Sequence, residues 1–271
     1  MERKTGEDWT PEHVRRLWTY WNSKPHMREE NFSYQVGAGV INFLRLTGRL
    51  RGRALDYGSG LGYLLEHLLA QGLECSGAEF SQEAVALVNE KFKAHPRWRG
   101  ARLVSGFPLP FDEAEFDVVT CTETLEHLSD ELLAGVVSEM RRIVRPGGLV
   151  LFTTPHAEDL EQSMTYCPFC DAEYHRVQHV RSFTPETMTN LLTGHGLEVL
   201  FCRGVDFAEF GRYVTRPRLA DASISTLREW LASRSDALLD RVSPRPFPGG
   251  RDFRRRAVAG PHLAAVATRA E

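Results

Sequence analysis

Short apolar runs alternate with segments of helical periodicity along most of the chain. An apolar run of about four to eight residues is typical of a buried strand, and apolar residues three or four positions apart are typical of a helix. We predict strands at residues 53–57, 73–78, 101–105, 116–121, 147–154, 197–202 and 262–268, and helices near 62–71, 81–93, 129–143 and 184–193. This alternation predicts an α/β fold with a doubly wound, mostly parallel seven-stranded sheet covered by helices on both faces.

The chain divides into four predicted parts. They are N-terminal helices at 1–48, the α/β core at 49–204, a helical and irregular insertion at 205–260, and the final core strand at 261–271. Thr10 has a hydroxyl that suits a helix cap, and Trp18 and Trp21 follow it at helical spacing. A second apolar helix is predicted at 36–46.

Three glycines, Gly58, Gly60 and Gly62, separate the first predicted strand from the helix that follows it. Glycine lets the backbone turn tightly and approach a ligand closely, and the N–H groups of the next helix can bind an anion. Glu79 follows the second predicted strand, at whose tip a carboxylate can accept hydrogen bonds from a ribose diol. The pattern predicts a nucleoside-containing ligand, and an α/β domain without a nucleotide is the alternative.

A series of motifs follows in order along residues 50–200: Asp56-x-Gly58-x-Gly60-x-Gly62, Glu79, Leu109-Pro-Phe111, Phe116-Asp-Val-Val119 and Val144-Arg-Pro-Gly-Gly148. Together they resemble the class I S-adenosylmethionine-dependent methyltransferases, a Rossmann-like fold. The resemblance implies that S-adenosylmethionine is the cofactor. Its amino-acid end would lie near Asp56, its ribose on Glu79 and its sulfonium over the glycine loop.

Ligands of such sheets bind at the carboxyl ends of the strands, so the loops after the first four strands should form the cofactor wall. The predicted cofactor-binding residues are Asp56, Gly58, Ser59, Gly60, Gly62, Glu79, Phe80, Gly106, Phe107, Thr122 and Glu123. The resemblance also implies that the N-terminal helices form a lid over the site. The alternative is that Trp18 and Trp21 only pack in the core.

Two carboxylates and an imidazole follow the fourth strand in the pattern Glu123-x-x-Glu126-His127. Oxygen ligands with one nitrogen suit a divalent ion such as Mg²⁺ or Mn²⁺. The pattern is similar to that of ubiquinone-pathway O-methyltransferases and small-RNA 2′-O-methyltransferases, in which these side chains hold a divalent metal. The alternative is that Glu126 and His127 only bond the loop and touch the cofactor.

A second cluster, at 165–180, has the spacing of a zinc knuckle with a histidine in its last position. Its predicted ligands are Cys167, Cys170, His175 and His179, because two thiolates and two imidazoles make a closed tetrahedral site for structural zinc. In the small-RNA enzymes a histidine from a similar stretch completes the divalent site instead. One imidazole cannot serve both sites, and we favour zinc because the two cysteines have no role in the other.

Composition narrows the function further. The chain has 271 residues, a net charge of −3, and neither a secretion signal nor an apolar run long enough to span a bilayer, so we expect a cytoplasmic protein with no membrane partner. The charge disfavours nucleic acid as a partner, although the basic patch at 251–256 keeps it open. This patch follows a predicted helix at 224–239 and a proline- and glycine-rich linker at 243–250.

These observations favour an O-methyltransferase acting on a small biosynthetic intermediate such as a sugar or quinol. A hydroxyl acceptor must lose its proton, and His127 and His156 are the predicted catalytic residues because the pKa of histidine suits proton transfer. An RNA 2′-O-methyltransferase and a non-catalytic, cofactor-binding partner subunit are the alternatives.

Overall fold

A computed structural model describes residues 2–4, 8–211 and 260–270. The predicted helix at 224–239, the linker at 243–250 and the basic patch at 251–256 lie outside these ranges. The helices are α1 (Pro11–Ser23), α2 (Pro25–Arg28), α3 (Phe32–Arg45), α4 (Tyr63–Ala70), α5 (Gln82–Phe92), α6 (Asp130–Ile143), α7 (Pro185–Gly194) and α8 (Phe207–Gly211). None of the described helices is both long and apolar enough to cross a bilayer.

Seven strands form the main sheet in the order β4-β3-β2-β5-β6-β10-β9. They are β2 (Arg53–Tyr57), β3 (Glu74–Glu79), β4 (Trp98–Leu103), β5 (Phe116–Thr122), β6 (Val144–Pro155), β9 (Leu197–Val205) and β10 (His262–Arg269). Only β10 runs antiparallel to its neighbours, and it pairs with both β6 and β9. The predicted seven-stranded, mostly parallel sheet is confirmed.

A small second sheet was not predicted. β1 (Glu2–Arg3) pairs in parallel with β8 (Ala172–His175), which forms an antiparallel hairpin with β7 (Met164–Cys167). The four turn residues of this hairpin, 168–171, include one of the cysteines of the predicted zinc site. Polar and apolar residues mix along both short strands, so no periodicity marked them.

One strand and one helix begin earlier along the chain than predicted. β4 begins at Trp98 and not at 101, because an edge strand with one solvent-facing side has no continuous apolar run. α3 begins at Phe32 and not at 36, since the side chain of Asn31 caps it by accepting hydrogen bonds from the N–H groups of Ser33 and Tyr34. The predicted cap of α1 is confirmed, with Thr10 accepting from His13 N.

Alternate residues of each central strand face opposite layers of the core. In β6, Leu149 and Leu151 belong to the layer beneath α3, α4 and α5, whereas Val150 and Phe152 belong to the layer beneath α6 and α7. Helices therefore cover both faces of the sheet, and the loops at the ends of its strands remain available for ligands.

α3 is joined to the core by an aromatic cluster. Phe43 is fully buried, and its ring centroid lies 5.5 Å from those of Phe201 and Phe207 and 5.6 Å from that of Phe210. The Asn42 amide nitrogen donates to the carbonyl oxygen of Phe210 at 2.7 Å. α3 is thus fixed to β9 and α8.

Phe43→Ala should lower the free energy of unfolding by about 3–5 kcal/mol, because it removes a buried aromatic side chain and leaves a cavity. Tyr34→Ala on the same helix is the matched control, since Tyr34 is 53% exposed. Urea unfolding of both variants measures the difference. Equal losses would contradict the role of Phe43 as the anchor of α3.

Candidate active site

The glycine loop after β2 uses left-handed backbone angles at all three glycines: φ is 73° at Gly58, 49° at Gly60 and 75° at Gly62. A Cβ atom on Gly58 would lie 2.5 Å from Thr124 Oγ1, and one on Gly62 would lie 2.9 Å from the Phe92 ring. No heavy atom stands within 4 Å of the corresponding position on Gly60. Packing therefore requires two of the glycines, and the third borders open space that a ligand can occupy.

Glu79 holds this loop in place from the end of β3. Its carboxylate accepts from Gly60 N at 2.9 Å through Oε2, and from Phe80 N at 2.8 Å and Ser81 N at 3.0 Å through Oε1. Burial raises the pKa of Glu79 although three backbone donors oppose the shift. The predicted ribose-binding carboxylate thus also organises the backbone around it.

Asp56 lies one strand away, on β2. Its Oδ1 accepts from Thr120 Oγ1 at 2.7 Å, across the β2–β5 pairing in which these two residues are opposite each other. Burial raises the pKa of Asp56 to about 7. Two buried carboxyl groups, one in the second-last position of β2 and one in the last position of β3, therefore lie beside the glycine loop.

The other predicted cofactor residues follow the same strand ends. Phe80 and Phe107 expose 43% and 41% of their surface, as expected for walls of an open cleft. Gly106 has no heavy atom within 4 Å of its Cβ position, and Ser59 Oγ is buried with no hydrogen-bond partner among the described residues. Thr122 ends β5, and Glu123 follows it with a φ of 46°.

A second group of polar side chains lies directly beyond β5. Glu126 is only 1% exposed, and neither of its carboxylate oxygens has a hydrogen-bond partner in the described structure. The turn that carries it, Leu125–His127, is fixed by two contacts: Val180 N donates to Glu126 O at 2.9 Å, and Gln178 Nε2 donates to His127 O at 2.7 Å. A rigid turn therefore holds a buried carboxyl group without partners.

Two imidazoles face this carboxyl group with their lone pairs. His127 Nδ1 lies 3.3 Å from Gln178 O, and His179 Nδ1 lies 2.5 Å from Glu158 Oε2. Both partners accept hydrogen bonds, so we assign the proton of each ring to Nδ1. The unprotonated Nε2 atoms of His127 and His179 then lie 3.9 Å and 4.0 Å from Glu126 Oε1. Three acceptors converge, an arrangement that a cation between them would stabilise.

Glu126, His127 and His179 form what we call the acceptor cluster. Burial strongly shifts the pKa values of ionisable groups in and beside it. Burial raises the pKa of Glu126 well above its usual range, and the neighbouring Glu123 carboxylate adds to the shift. Burial also raises the pKa of Glu123 to about 8 and lowers that of His127 to about 3. Each neutral form is favoured, whereas a divalent ion would favour ionised carboxylates and leave the imidazoles neutral.

The described structure does not bring Cys167 and Cys170 together with His175 and His179, so it does not form the predicted zinc site. Cys167 is opposite Ala172 in the β7–β8 hairpin, whereas His175 is opposite Met164 at the far end. Three residues of strand separate them by about 10 Å. Cys170 is exposed in the turn, and His175 is 3% exposed. Among the described residues, the groups able to hold a metal are Glu126/His127/His179 and Glu158/His175/His179, which contain neither cysteine.

Trp18 and His156, also predicted to border the site, lie in different places. Trp18 of α1 contacts His127 edge-on, with ring centroids 5.1 Å apart, so α1 does border the acceptor cluster. His156 follows β6 and lies against β9, where a Cβ on Gly204 would be 2.5 Å from His156 Nδ1. It belongs to neither of the potential metal groups in the described part of the chain.

The sequence analysis missed His262 and Glu158. His262 Nδ1 lies 3.9 Å from Glu123 Oε1, because β10 is antiparallel and its first residue meets the last residue of β6, Pro155. The position of His262 at the start of the last strand was a usable signal. Glu158 lies in an irregular loop, and its polar surroundings gave no signal.

A family model described as a methyltransferase domain matches residues 26–200. A ubiquinone biosynthesis O-methyltransferase from Methylococcus capsulatus is 35% identical over 116 residues, which are 42% of this chain and 48% of that protein. A protein from Mycolicibacterium smegmatis, named as an S-adenosylmethionine-dependent methyltransferase, is 32% identical over 184 residues, or 67% of this chain and 65% of its own length. The chain thus spans about half to two thirds of these relatives.

Among solved structures, a Haloferax volcanii methyltransferase in complex with the Trm112 methyltransferase activator is similar in fold. The TM-score is 0.61 at 17% identity, covering 94% of this chain and 98% of that one. At that identity the likeness shows the fold alone.

Glu126→Gln should stabilise the metal-free protein, and more at pH 8 than at pH 5. The pKa of Glu126 is higher in the folded than in the unfolded state, so the stability of the parent is lost as the pH rises towards the folded value. The amide avoids burying a charge, and we expect a gain on the order of 1–3 kcal/mol at pH 8. Thermal unfolding in chelator measures it, with exposed Glu198→Gln as the control. A gain independent of pH would contradict the burial of an ionisable group.

Proposed function

Because the chain belongs to the class I S-adenosylmethionine-dependent methyltransferases, we propose that it transfers the methyl group of S-adenosylmethionine to an oxygen of a small biosynthetic intermediate. A sugar or quinol is the class of acceptor we favour. The names of the relatives support oxygen as the acceptor atom. One observation carries the proposal most: the acceptor cluster adjoins the glycine loop, since Thr124 of the same turn packs against Gly58.

The cofactor is proposed to lie over the glycine loop. Gly60 borders the open space, Glu79 would accept from the ribose hydroxyls, and Asp56 would lie near the amino-acid end. Exposed Phe80 and Phe107 would flank the adenine as apolar walls. Methyl transfer from a sulfonium is an in-line displacement, so holding donor and acceptor in line can supply several kcal/mol of the barrier.

A divalent ion fits the acceptor cluster. Glu126, His127 and His179 would hold it, since each presents an acceptor atom and Glu126 has no other partner in the described structure. The resemblance adds Glu123 as a further oxygen ligand, and its Oε1 is likewise buried without a hydrogen-bond partner among the described residues. When bound, such an ion lowers the pKa of a coordinated hydroxyl and so favours the alkoxide or phenolate. His127 is then a ligand: its depressed pKa makes it a weak base, and its ring proton is engaged by Gln178 O.

The same cluster keeps RNA 2′-O-methylation as a second candidate, because His179 joins Glu126 and His127 in the manner that the resemblance to small-RNA enzymes implies. A tritium-labelled methyl transfer assay on cell extract separates the candidates. Label in the small-molecule fraction that resists nuclease supports the first, nuclease-sensitive label supports the second, and no transfer under any condition would leave a non-catalytic cofactor-binding subunit.

Glu79→Ala should weaken binding of S-adenosylmethionine by about 1–3 kcal/mol, because it removes the ribose acceptor and frees three backbone donors of the loop. Isothermal titration calorimetry measures the affinity. Glu90→Ala, which removes an exposed carboxylate of α5, is the control and should bind like the parent. Unchanged affinity of Glu79→Ala would show that the cofactor lies elsewhere.

Chelation should abolish methyl transfer, and Mg²⁺ or Mn²⁺ should restore it. His179→Ala should lose most of the bound Mn²⁺ and most of the activity, because a ligand of the cluster is gone. Cys167→Ser and Cys170→Ser are the matched controls, and both should keep their Mn²⁺, since neither cysteine reaches the cluster. Full activity in chelator, or equal metal loss in the cysteine variants, would overturn the proposed metal site.

A further inference from the structure

Glu158 lies at the Nδ1 side of His179, whereas Glu126 faces its Nε2, and His175 lies against the face of the same ring. The His175 and His179 rings are stacked, with centroids 4.7 Å apart and planes 19° apart. Glu158 faces both rings: its Oε2 lies 2.5 Å from His179 Nδ1, and its Oε1 lies 3.4 Å from His175 Nε2. Glu158 and His175 therefore pack directly against His179 of the acceptor cluster.

Hydrogen bonds determine which ring nitrogen of His175 and of His179 carries the proton. The backbone N–H of His179 donates to His175 Nδ1 at 3.0 Å, so that nitrogen is an acceptor and the ring proton of neutral His175 is on Nε2, facing Glu158. His179 likewise presents its Nδ1 proton to Glu158, because a carboxylate offers only acceptors. Glu158 thus faces an N–H group from each ring.

Distances argue that Glu158 is not itself a metal ligand. Two ligand atoms on one ion, each bonded at about 2.1 Å, lie about 3.0 Å apart when their bonds are at right angles. The 2.5 Å between Glu158 Oε2 and His179 Nδ1 is too short for that arrangement, and the two groups form a short hydrogen bond. The 3.9–4.0 Å separations around Glu126 Oε1, by contrast, leave room for an ion.

We propose that Glu158 is a positioning residue that keeps His179 in the tautomer whose Nε2 lone pair points at Glu126. Without that carboxylate, the His179 proton can move to Nε2, where it would donate to Glu126 and close the cluster to a cation. This inference rests on the proposed metal-dependent function. It adds a role for a carboxylate that touches neither the ion nor the substrate.

Glu158→Ala tests the proposal through two measurements. Mn²⁺ affinity, followed by calorimetry on the full chain, should fall about 10–100-fold, the usual loss when the hydrogen-bond partner of a ligating histidine is removed. Long-range ¹H–¹⁵N spectra of the metal-free protein should show His179 protonated at Nδ1 in the parent and shifted towards Nε2 in the variant. Glu158→Gln, whose amide oxygen can still accept from Nδ1, should recover part of both readouts.

Glu161→Ala, which removes an exposed carboxylate three residues further along the loop, is the matched control and should leave both readouts unchanged. Affinity for S-adenosylmethionine should be unaltered in every variant, which separates positioning from a general loss of structure. Unchanged Mn²⁺ affinity or tautomer in Glu158→Ala would overturn the proposal, and so would two Mn²⁺ ions per chain with Glu158 as a ligand.

Failure of the proposed function has a different signature. A parent protein that binds no Mn²⁺, yet shows His179 protonated at Nδ1 only while Glu158 is present, would refute the metal site and leave the tautomer assignment standing. A parent that binds Mn²⁺ with His179 protonated at Nε2 in the metal-free form would refute the role of Glu158 alone.

Discussion

The position of Glu126 is the physical constraint on which the site depends. A carboxyl group that is 1% exposed loses most of its hydration, and no donor in the described structure replaces the lost water. The two nearest ring nitrogens offer it lone pairs rather than protons. Ionised Glu126 is therefore unfavourable in this site as long as no positive charge lies near its carboxylate. It becomes favourable when a cation supplies the missing positive charge, so the same burial that destabilises the free protein would strengthen binding of an ion.

The fold produces this arrangement by bringing distant segments to the carboxyl ends of the central parallel strands. The turn after β5 carries Glu126, and the loop after the β7–β8 hairpin returns to it through the Val180 and Gln178 hydrogen bonds. β10 adds His262 beside Glu123, since its antiparallel direction puts its first residue at the carboxyl end of β6. Aromatic packing fixes α3 to the core, and Trp18 of α1 lies against His127. Each contribution comes from a different element, so the site depends on segments that are distant along the chain.

The sequence was sufficient for the sheet, the glycine loop and the turn at Glu123–His127, because each depends on local patterns of apolar residues, glycine and charge. It was insufficient where tertiary geometry decides. Cys167 and His175 are close along the chain but lie at opposite ends of a hairpin whose register no periodicity revealed. His179 was given to zinc by spacing, whereas its neighbours in space are Glu126, His127 and Glu158. Ring tautomers depend on the partner of the other nitrogen, which only the folded structure supplies.

Gly58 is the contact point between the glycine loop and the turn that bears Glu126. With no Cβ in the way, Thr124 packs where that atom would stand, and the Thr124 hydroxyl donates to Thr122 O at 2.9 Å. The glycine loop and the turn bearing Glu126 are therefore in van der Waals contact through groups that have little freedom to move. Methyl transfer requires the donor carbon and the acceptor oxygen to be aligned closely, and a misplacement of about 1 Å can lower the rate by about 100-fold. Direct packing between the loop that would hold the donor and the turn that would hold the acceptor lets the fold set that alignment before either ligand binds.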